Sequence, residues 1–271
     1  MDVIYRKPTC LSITKTDCYP CIMLNLTQYG TPTSLPNLLI AHGLFGSGRN
    51  WGAIANRLST DRQVTVVDMR NHAGSFHAPT MTYADMADDL AKVIDAPCDV
   101  LGHSMGGKAS MILSMKNKGL IDHLIVADIA PVSYTHSQNH LIDAMEATDL
   151  STITKRSDAD ALLSSTIPER EIRAFLLQSL DVEARKWRFN LETLRAYMPD
   201  IIGFPEIDGT FSGETLFLSG ASSDYVQPAY RDRIKTLFPK ARFAKIPGAG
   251  HWLHAEKPRE FEAAIRTFLT R

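Results

Sequence analysis

Gly102-His103-Ser104-Met105-Gly106 is the stretch of this sequence best suited to covalent chemistry. It fits G-x-S-x-G, the sharp strand-to-helix turn that lifts a serine hydroxyl above a sheet. The apolar run Cys98 to Leu101 precedes it, and Lys108 to Met115 reads as a helix rich in Ala, Met, Ile and Leu. Glycine at both ends has a steric cause: the backbone is crowded there, and a side chain would strike the neighbouring strand or helix. A serine hydroxyl is a poor nucleophile until a base takes its proton. The rest of the chain must therefore supply a base, an acid to orient it and an oxyanion hole.

In an elbow architecture the partners follow the serine in chain order, with histidine last. Of nine histidines, His251 is the outstanding candidate, in the glycine-rich turn Pro247-Gly248-Ala249-Gly250-His251-Trp252 after the last expected strand. His254 lies nearer the following helix and ranks below it. The pair lacks H-E-x-x-H and acidic companions, so no metal is expected. Two aspartates compete for the acid. Asp128 lies in the apolar run Val126-Ala127-Asp128-Ile129-Ala130-Pro131, where a carboxylate is costly unless an imidazole N–H or similar donor pairs it. Its competing role is a helix cap. Asp224 follows the strand Leu216-Phe217-Leu218, one residue after Ser223, and is the alternative acid. For the oxyanion hole, the Met105 amide stands at a helix N-terminus. The second donor is expected from His42-Gly43-Leu44-Phe45-Gly46: Leu44, or Phe45 if the turn is shifted by one. His42 reads as a structural ring.

Other chemistries fit less well. Gly102 to Lys108 also matches G-x-x-x-x-G-K, a phosphate loop, but Ala109 stands where a magnesium-binding hydroxyl is needed. Cys18-Tyr19-Pro20-Cys21 has redox or half-zinc spacing, yet no second pair follows and no helix begins at Cys21 to lower a thiol pKa; the pair reads as a turn. A net charge of -1 gives no strong pull toward nucleic acid. No apolar run is long enough to span a bilayer. Met1 to Pro8 lacks a basic-then-apolar leader, so the expected location is the cytoplasm.

The elements that must position these groups follow from hydrophobic patterning. At 271 residues, 44% apolar and 22% charged, the chain suits one large globular domain with an insertion. Cys10 to Thr14 and Cys21 to Gln28 read as opening strands. Leu38 to Ala41 and Val64 to Asp68 are runs of the kind buried on both faces of a sheet. Trp51 to Leu58 and Tyr83 to Ile94 read as helices, and His123 to Ile129 as a strand. From Val132 to about Asp208 the strand pattern vanishes, leaving helical segments at Asn139 to Ala147, Ala159 to Ser164, Glu169 to Leu180 and Arg185 to Tyr197. Strands return at Thr215 to Leu218 and Arg242 to Ile246, with helices at Tyr230 to Leu237 and Arg259 to Leu269. Repeated βα units imply an α/β fold with a mostly parallel sheet flanked by helices. Residues 1–131 and 209–271 form its core, and 132–208 a helical cap where such sheets bind ligands.

His42-Gly43-Leu44-Phe45-Gly46-Ser47, Asp68-Met69-Arg70-Asn71-His72, Gly102 to Lys108, Asp128-Ile129-Ala130-Pro131 and Gly250 to Pro258 together resemble the α/β-hydrolase superfamily. Within it they are similar to the YbfF-type bacterial esterases and their mitochondrial abhydrolase-domain relatives. The resemblance runs from about Leu38 to the C-terminus and is weakest in the cap. It implies Ser104 as nucleophile, His251 as base and Asp128 as acid, with Ser223 at the usual acid position. Two features depart from the pattern: His72-Ala73-Gly74-Ser75 reorders the usual His-Gly-x-Ser, and Asp224 places a carboxylate beside Ser223. The expected activity is serine-dependent hydrolysis of carboxylic esters, or acyl-CoA thioesters, with short to medium acyl groups. Water is the second substrate, and no cofactor is expected. Phe45, Met105, Met145, Ser223, Tyr225 and Trp252 are the expected substrate contacts. Alternatives on the same scaffold are carbon–carbon bond hydrolysis, cofactor-free haloperoxidase chemistry, or a ligand receptor with slow turnover.

Overall fold

The computed structural model describes residues 23–270. The expected strand at Cys10 to Thr14, the Cys18–Cys21 turn and the first residues of the Cys21 to Gln28 strand lie outside them. In chain order the elements begin β1 (Leu26–Tyr29), β2 (Leu38–Ala41), α1 (Gly52–Leu58), β3 (Val64–Val67), α2 (Tyr83–Lys92), β4 (Cys98–His103), α3 (Met105–Lys116) and β5 (Ile121–Ala127). The segment that follows holds α4 (Asn139–Ala147), α5 (Arg156–Leu163), α6 (Arg170–Leu177), β6 (Leu180–Asp181), β7 (Lys186–Trp187), α7 (Leu191–Ala196) and α8 (Met198–Ile202). The chain closes with β8 (Glu214–Gly220), α9 (Arg231–Leu237), β9 (Ala241–Ile246), α10 (Leu253–Glu256) and α11 (Pro258–Leu269).

Seven strands form one sheet in the order β1-β3-β2-β4-β5-β8-β9, with only the edge strand β1 antiparallel to its neighbour. Every residue of β2, β3 and β4 is buried, as expected for parallel strands covered on both faces. One apolar cluster packs α1 and α11 on one face; another packs α2, α3 and much of the 132–208 segment on the other. α3 is buried from Met105 to Met115 and has no polar face, so it runs through the middle of its layer. α2 starts at a reciprocal cap: Thr82 accepts the Asp85 amide, and the Asp85 carboxylate accepts the Thr82 amide and hydroxyl.

The winding reverses between β2 and β4, because β3 lies outside β2 and the later strands lie beyond β4. At such a switch point the loops at the strands' carboxyl ends part and leave a crevice. The register aligns those ends, pairing Ala41 with Gly102, His103 with Ala127 and Gly220 with Ile246. The loop after β2, the elbow after β4 and the loops after β5, β8 and β9 therefore open toward one place.

Two expectations for 132–208 do not hold. The segment is not purely helical: Leu180–Asp181 and Lys186–Trp187 form a short antiparallel hairpin. Arg185 to Tyr197 is not one helix, since only Leu191–Ala196 is helical, entered at Asn190, whose side chain accepts the Thr193 amide. Before Asn190 the backbone finds partners elsewhere. Arg188 N–H donates to Ser179 O at 2.9 Å, and Asn190 N–H donates to Asn71 O at 3.0 Å. Trp187 Nε1 reaches Met145 O at 3.0 Å. The first and third tie the stretch to other parts of its own segment, the Asn190 bond ties it to the loop after β3, and together they override local helical spacing.

Candidate active site

Ser104 connects β4 to α3 with φ 52° and ψ −120°, a conformation that L-residues avoid and that costs about 1–3 kcal/mol. Its surroundings hold it there: Ser104 N–H donates to Ala127 O and Lys108 N–H to Ser104 O, both at 3.0 Å. The flanking glycines have no room for a side chain. A Cβ on Gly106 would sit 2.4 Å from Ala41 O and 2.5 Å from His42 O, and one on Gly102 would sit 2.4 Å from Gly106 O. The first turn of α3 thus lies directly on the end of β2, bringing the Met105 amide beside the loop that begins at His42.

His251 follows β9 and lies between Ser104 and Asp128. Its Nε2 is 3.1 Å from Ser104 Oγ, and its Nδ1 is 2.7 Å from Asp128 Oδ2. Asp128 is fully buried and itself stands at a positive φ of 52°. Its other contacts are all donors: Gly220 N–H to Oδ1 at 3.0 Å, and Ser223 Oγ to Oδ2 at 2.5 Å. A buried carboxylate is tolerable on these terms. Asp224 is exposed, and the Nδ1 partner of His251 is Asp128 instead. The ring of His251 is stacked by Tyr225, with centroids 4.2 Å apart. His103 Nε2 donates to the His251 carbonyl at 2.9 Å, bracing the same loop from the elbow.

The loop after β2 is pinned by two buried imidazoles. His42 bonds Gly43 O through Nδ1 at 2.8 Å, so its Nε2 is free to accept Met69 N–H at 2.9 Å. His72 bonds Arg70 O through Nδ1 at 2.8 Å and accepts Phe45 N–H on Nε2 at 3.2 Å. Burial lowers both pKa values, that of His72 to about 3, so both rings stay neutral and keep an acceptor nitrogen. The Phe45 amide is therefore occupied. The Leu44 and Met105 amides have no protein acceptor among the described residues and border the same cavity as Ser104.

That cavity has a volume of about 260 Å³ and is mostly apolar. Phe45, Tyr225 and Trp252 line it; Ser223 does not, because its hydroxyl is turned to Asp128. Met145 is likewise absent from the lining and is buried within the 132–208 segment. That segment contributes Tyr134, Leu141, Ile172, Phe175, Ile201 and Ile202 to the lining. Sequence reasoning placed Lys108 at the start of a helix and in the Gly102 to Lys108 motif but gave it no role, yet it borders the cavity and is almost fully buried. It also passed over His72 and His103 as braces, since a histidine in a loop or at a strand end carries no signal of what its nitrogens meet. Among the described residues no cluster could hold a metal ion, and no helix is long and apolar enough to cross a membrane.

A family model described as the alpha/beta hydrolase family matches residues 38–264. The chain belongs to this family. The hydrolase is 41% identical to the Escherichia coli protein named esterase YbfF, over 86% of this chain and 92% of that one. It is 40% identical to a mouse protein named sn-1-specific diacylglycerol lipase ABHD11, over 87% of this chain and 81% of that one. A solved structure titled marine microorganism esterase superposes on the hydrolase with a TM-score of 0.86 at 37% identity, covering 91% and 99% of the two chains.

Proposed function

We propose that this carboxylic ester hydrolase works through an acyl-enzyme on Ser104, with His251 as its base and Asp128 as the acid behind the base. The reading rests on the continuous hydrogen-bonded chain from Ser104 Oγ through both nitrogens of His251 to the buried Asp128. His251 Nε2 takes the serine proton as Oγ attacks the ester carbonyl, and Asp128 stabilises the imidazolium and keeps the remaining proton on Nδ1. The carbonyl oxygen becomes an oxyanion held by the Leu44 and Met105 amides, each contributing on the order of 3 kcal/mol. Collapse breaks the ester C–O bond, and His251 returns its proton to the departing alkoxide. Water then attacks the acyl-serine with His251 again as base, releasing the carboxylic acid and restoring Ser104.

Residues 132–208 act in this reading as a cap over the cavity, and Phe45, Tyr225 and Trp252 contact the substrate. A volume of about 260 Å³ lies just below the usual ligand-cleft range of about 300–1,000 Å³, which favours short to medium acyl groups. Thioesters fit the same steps, because only the leaving atom changes. The test is a fluorophosphonate label together with p-nitrophenyl esters, acyl-CoA thioesters and diacylglycerol, the last taken from the mouse relative's name. Ser104→Ala must abolish both labelling and hydrolysis; retention of either refutes the reading.

A further inference from the structure

Lys108 is among the largest fully buried side chains, with only 1% of its surface exposed. It stands one helical turn beyond Ser104 on α3, about 6 Å along the axis. Its Nζ donates to Ile202 O at 2.9 Å and to Gly203 O, where α8 ends. Tyr134 presents its ring face 4.8 Å from the ammonium and Tyr83 lies 5.8 Å away. Among the described residues no carboxylate balances its charge, and burial alone pulls its pKa to about 7. The two carbonyls account for two ammonium hydrogens; the third has no oxygen or nitrogen acceptor there. The nearby hydroxyls are already committed, Tyr83 donating to Ile201 O at 2.6 Å and Tyr134 to Tyr225 O at 2.7 Å.

Holding two carbonyls does not require a cation, since a neutral donor can do it, and burying an unpaired charge is far costlier than burying an amide. An unneutralised ammonium with one free hydrogen, bordering a cavity, is the arrangement expected where a ligand brings the counter-charge. The acyl arm is the part of an ester that fits this end. In the Ser104 reading the carbonyl oxygen meets the Leu44 and Met105 amides and the leaving oxygen meets His251, which leaves the acyl substituent to the remaining cavity wall, where Lys108, Ile201 and Ile202 stand. A single free hydrogen suits one oxygen of a carboxylate rather than a phosphate, which needs several donors.

We propose that Lys108 is a specificity residue for esters whose acyl group ends in a carboxylate, the half-esters of short dicarboxylic acids. The proposal rests on the Ser104 reading above, and three measurements keep the two apart. The first compares wild-type kcat/KM on monoethyl esters of straight-chain diacids with ethyl esters of monoacids of the same chain length. At one chain length the half-ester is favoured by tenfold or more; if none is favoured, the proposal is overturned whatever becomes of any variant. The second is Lys108→Met, similar in length and uncharged. It brings the half-ester to neutral-ester ratio to one or below, through a higher KM for the half-ester, and a ratio that stays high overturns the proposal. The third is Ser104→Ala, which abolishes turnover of both series. If it does not, the Ser104 reading has failed, whereas Ser104-dependent turnover of both series with no half-ester preference in the wild type, or with a preference that survives in Lys108→Met, counts against Lys108 alone.

Discussion

Asp128→Asn is the substitution whose outcome the geometry constrains most tightly. Asp128 Oδ1 receives the Gly220 amide, a donor that cannot turn away. The asparagine carbonyl must take that place, because its NH2 group there would face another N–H across 3.0 Å. The NH2 group then stands at the Oδ2 position, facing His251 Nδ1 and Ser223 Oγ. It donates to Nδ1, so the imidazole carries its proton on Nε2 and faces Ser104 with a hydrogen instead of a lone pair. The base is held in the wrong tautomer while every buried polar group keeps a partner. The expected loss in kcat is about ten-thousand-fold, or about 5 kcal/mol of transition-state stabilisation, with stability changed by about 1–2 kcal/mol at most. The assay pairs p-nitrophenyl butyrate kinetics with urea unfolding. A fall in kcat below tenfold in a folded variant refutes the tautomer argument. So does a larger loss in Asp224→Asn, which should act like wild type.

Gly106→Ala forces a methyl against Ala41 O and His42 O at 2.4 and 2.5 Å, so urea unfolding should show a loss of about 3 kcal/mol or more. Fluorophosphonate labelling of the folded fraction should slow as the oxyanion loop is pushed aside. His72→Ala leaves the Phe45 amide without its acceptor, an expected cost of about 1–3 kcal/mol in stability, with kcat falling more than KM rises. Normal kcat at unchanged stability would remove His72 from the positioning of that loop. Stability should also fall with pH in a defined direction. His72 and His254 titrate near 3 in the native state, whereas unfolded histidine titrates near about 6.5. Between these values the unfolded chain binds the extra protons, so stability drops as pH falls, by up to about 1.4 kcal/mol per pH unit for each ring. Buried His42 and His103 shift in the same direction. Urea midpoints from pH 7 to 4 check this, and a flat profile would show that the rings are not buried as neutral groups.

The order of elements is legible in the sequence because each has a local cause. Leu38 to Ala41 and Val64 to Val67 are too apolar for anything but strands covered on both faces. The G-x-S-x-G glycines mark a turn whose crowding the structure gives as distances. The sequence also determines the chemistry available to the nucleophile, since serine and histidine in elbow order admit few reactions. The choice of acid is a tertiary matter. Asp128 and Asp224 are 123 and 27 residues from His251 in the chain, and only the alignment of β5, β8 and β9 side by side brings the Asp128 carboxylate to the imidazole, while Asp224 stays in solvent. The proposed oxyanion donor is tertiary in the same sense. Leu44 is left free because His72, from a different loop, occupies its neighbour's amide. Lys108 shows the limit most clearly: its spacing fits a solvated helix position as well as a buried one. Its burial beside Ile202, Gly203 and Tyr134 exists only once the 132–208 segment has folded over α3.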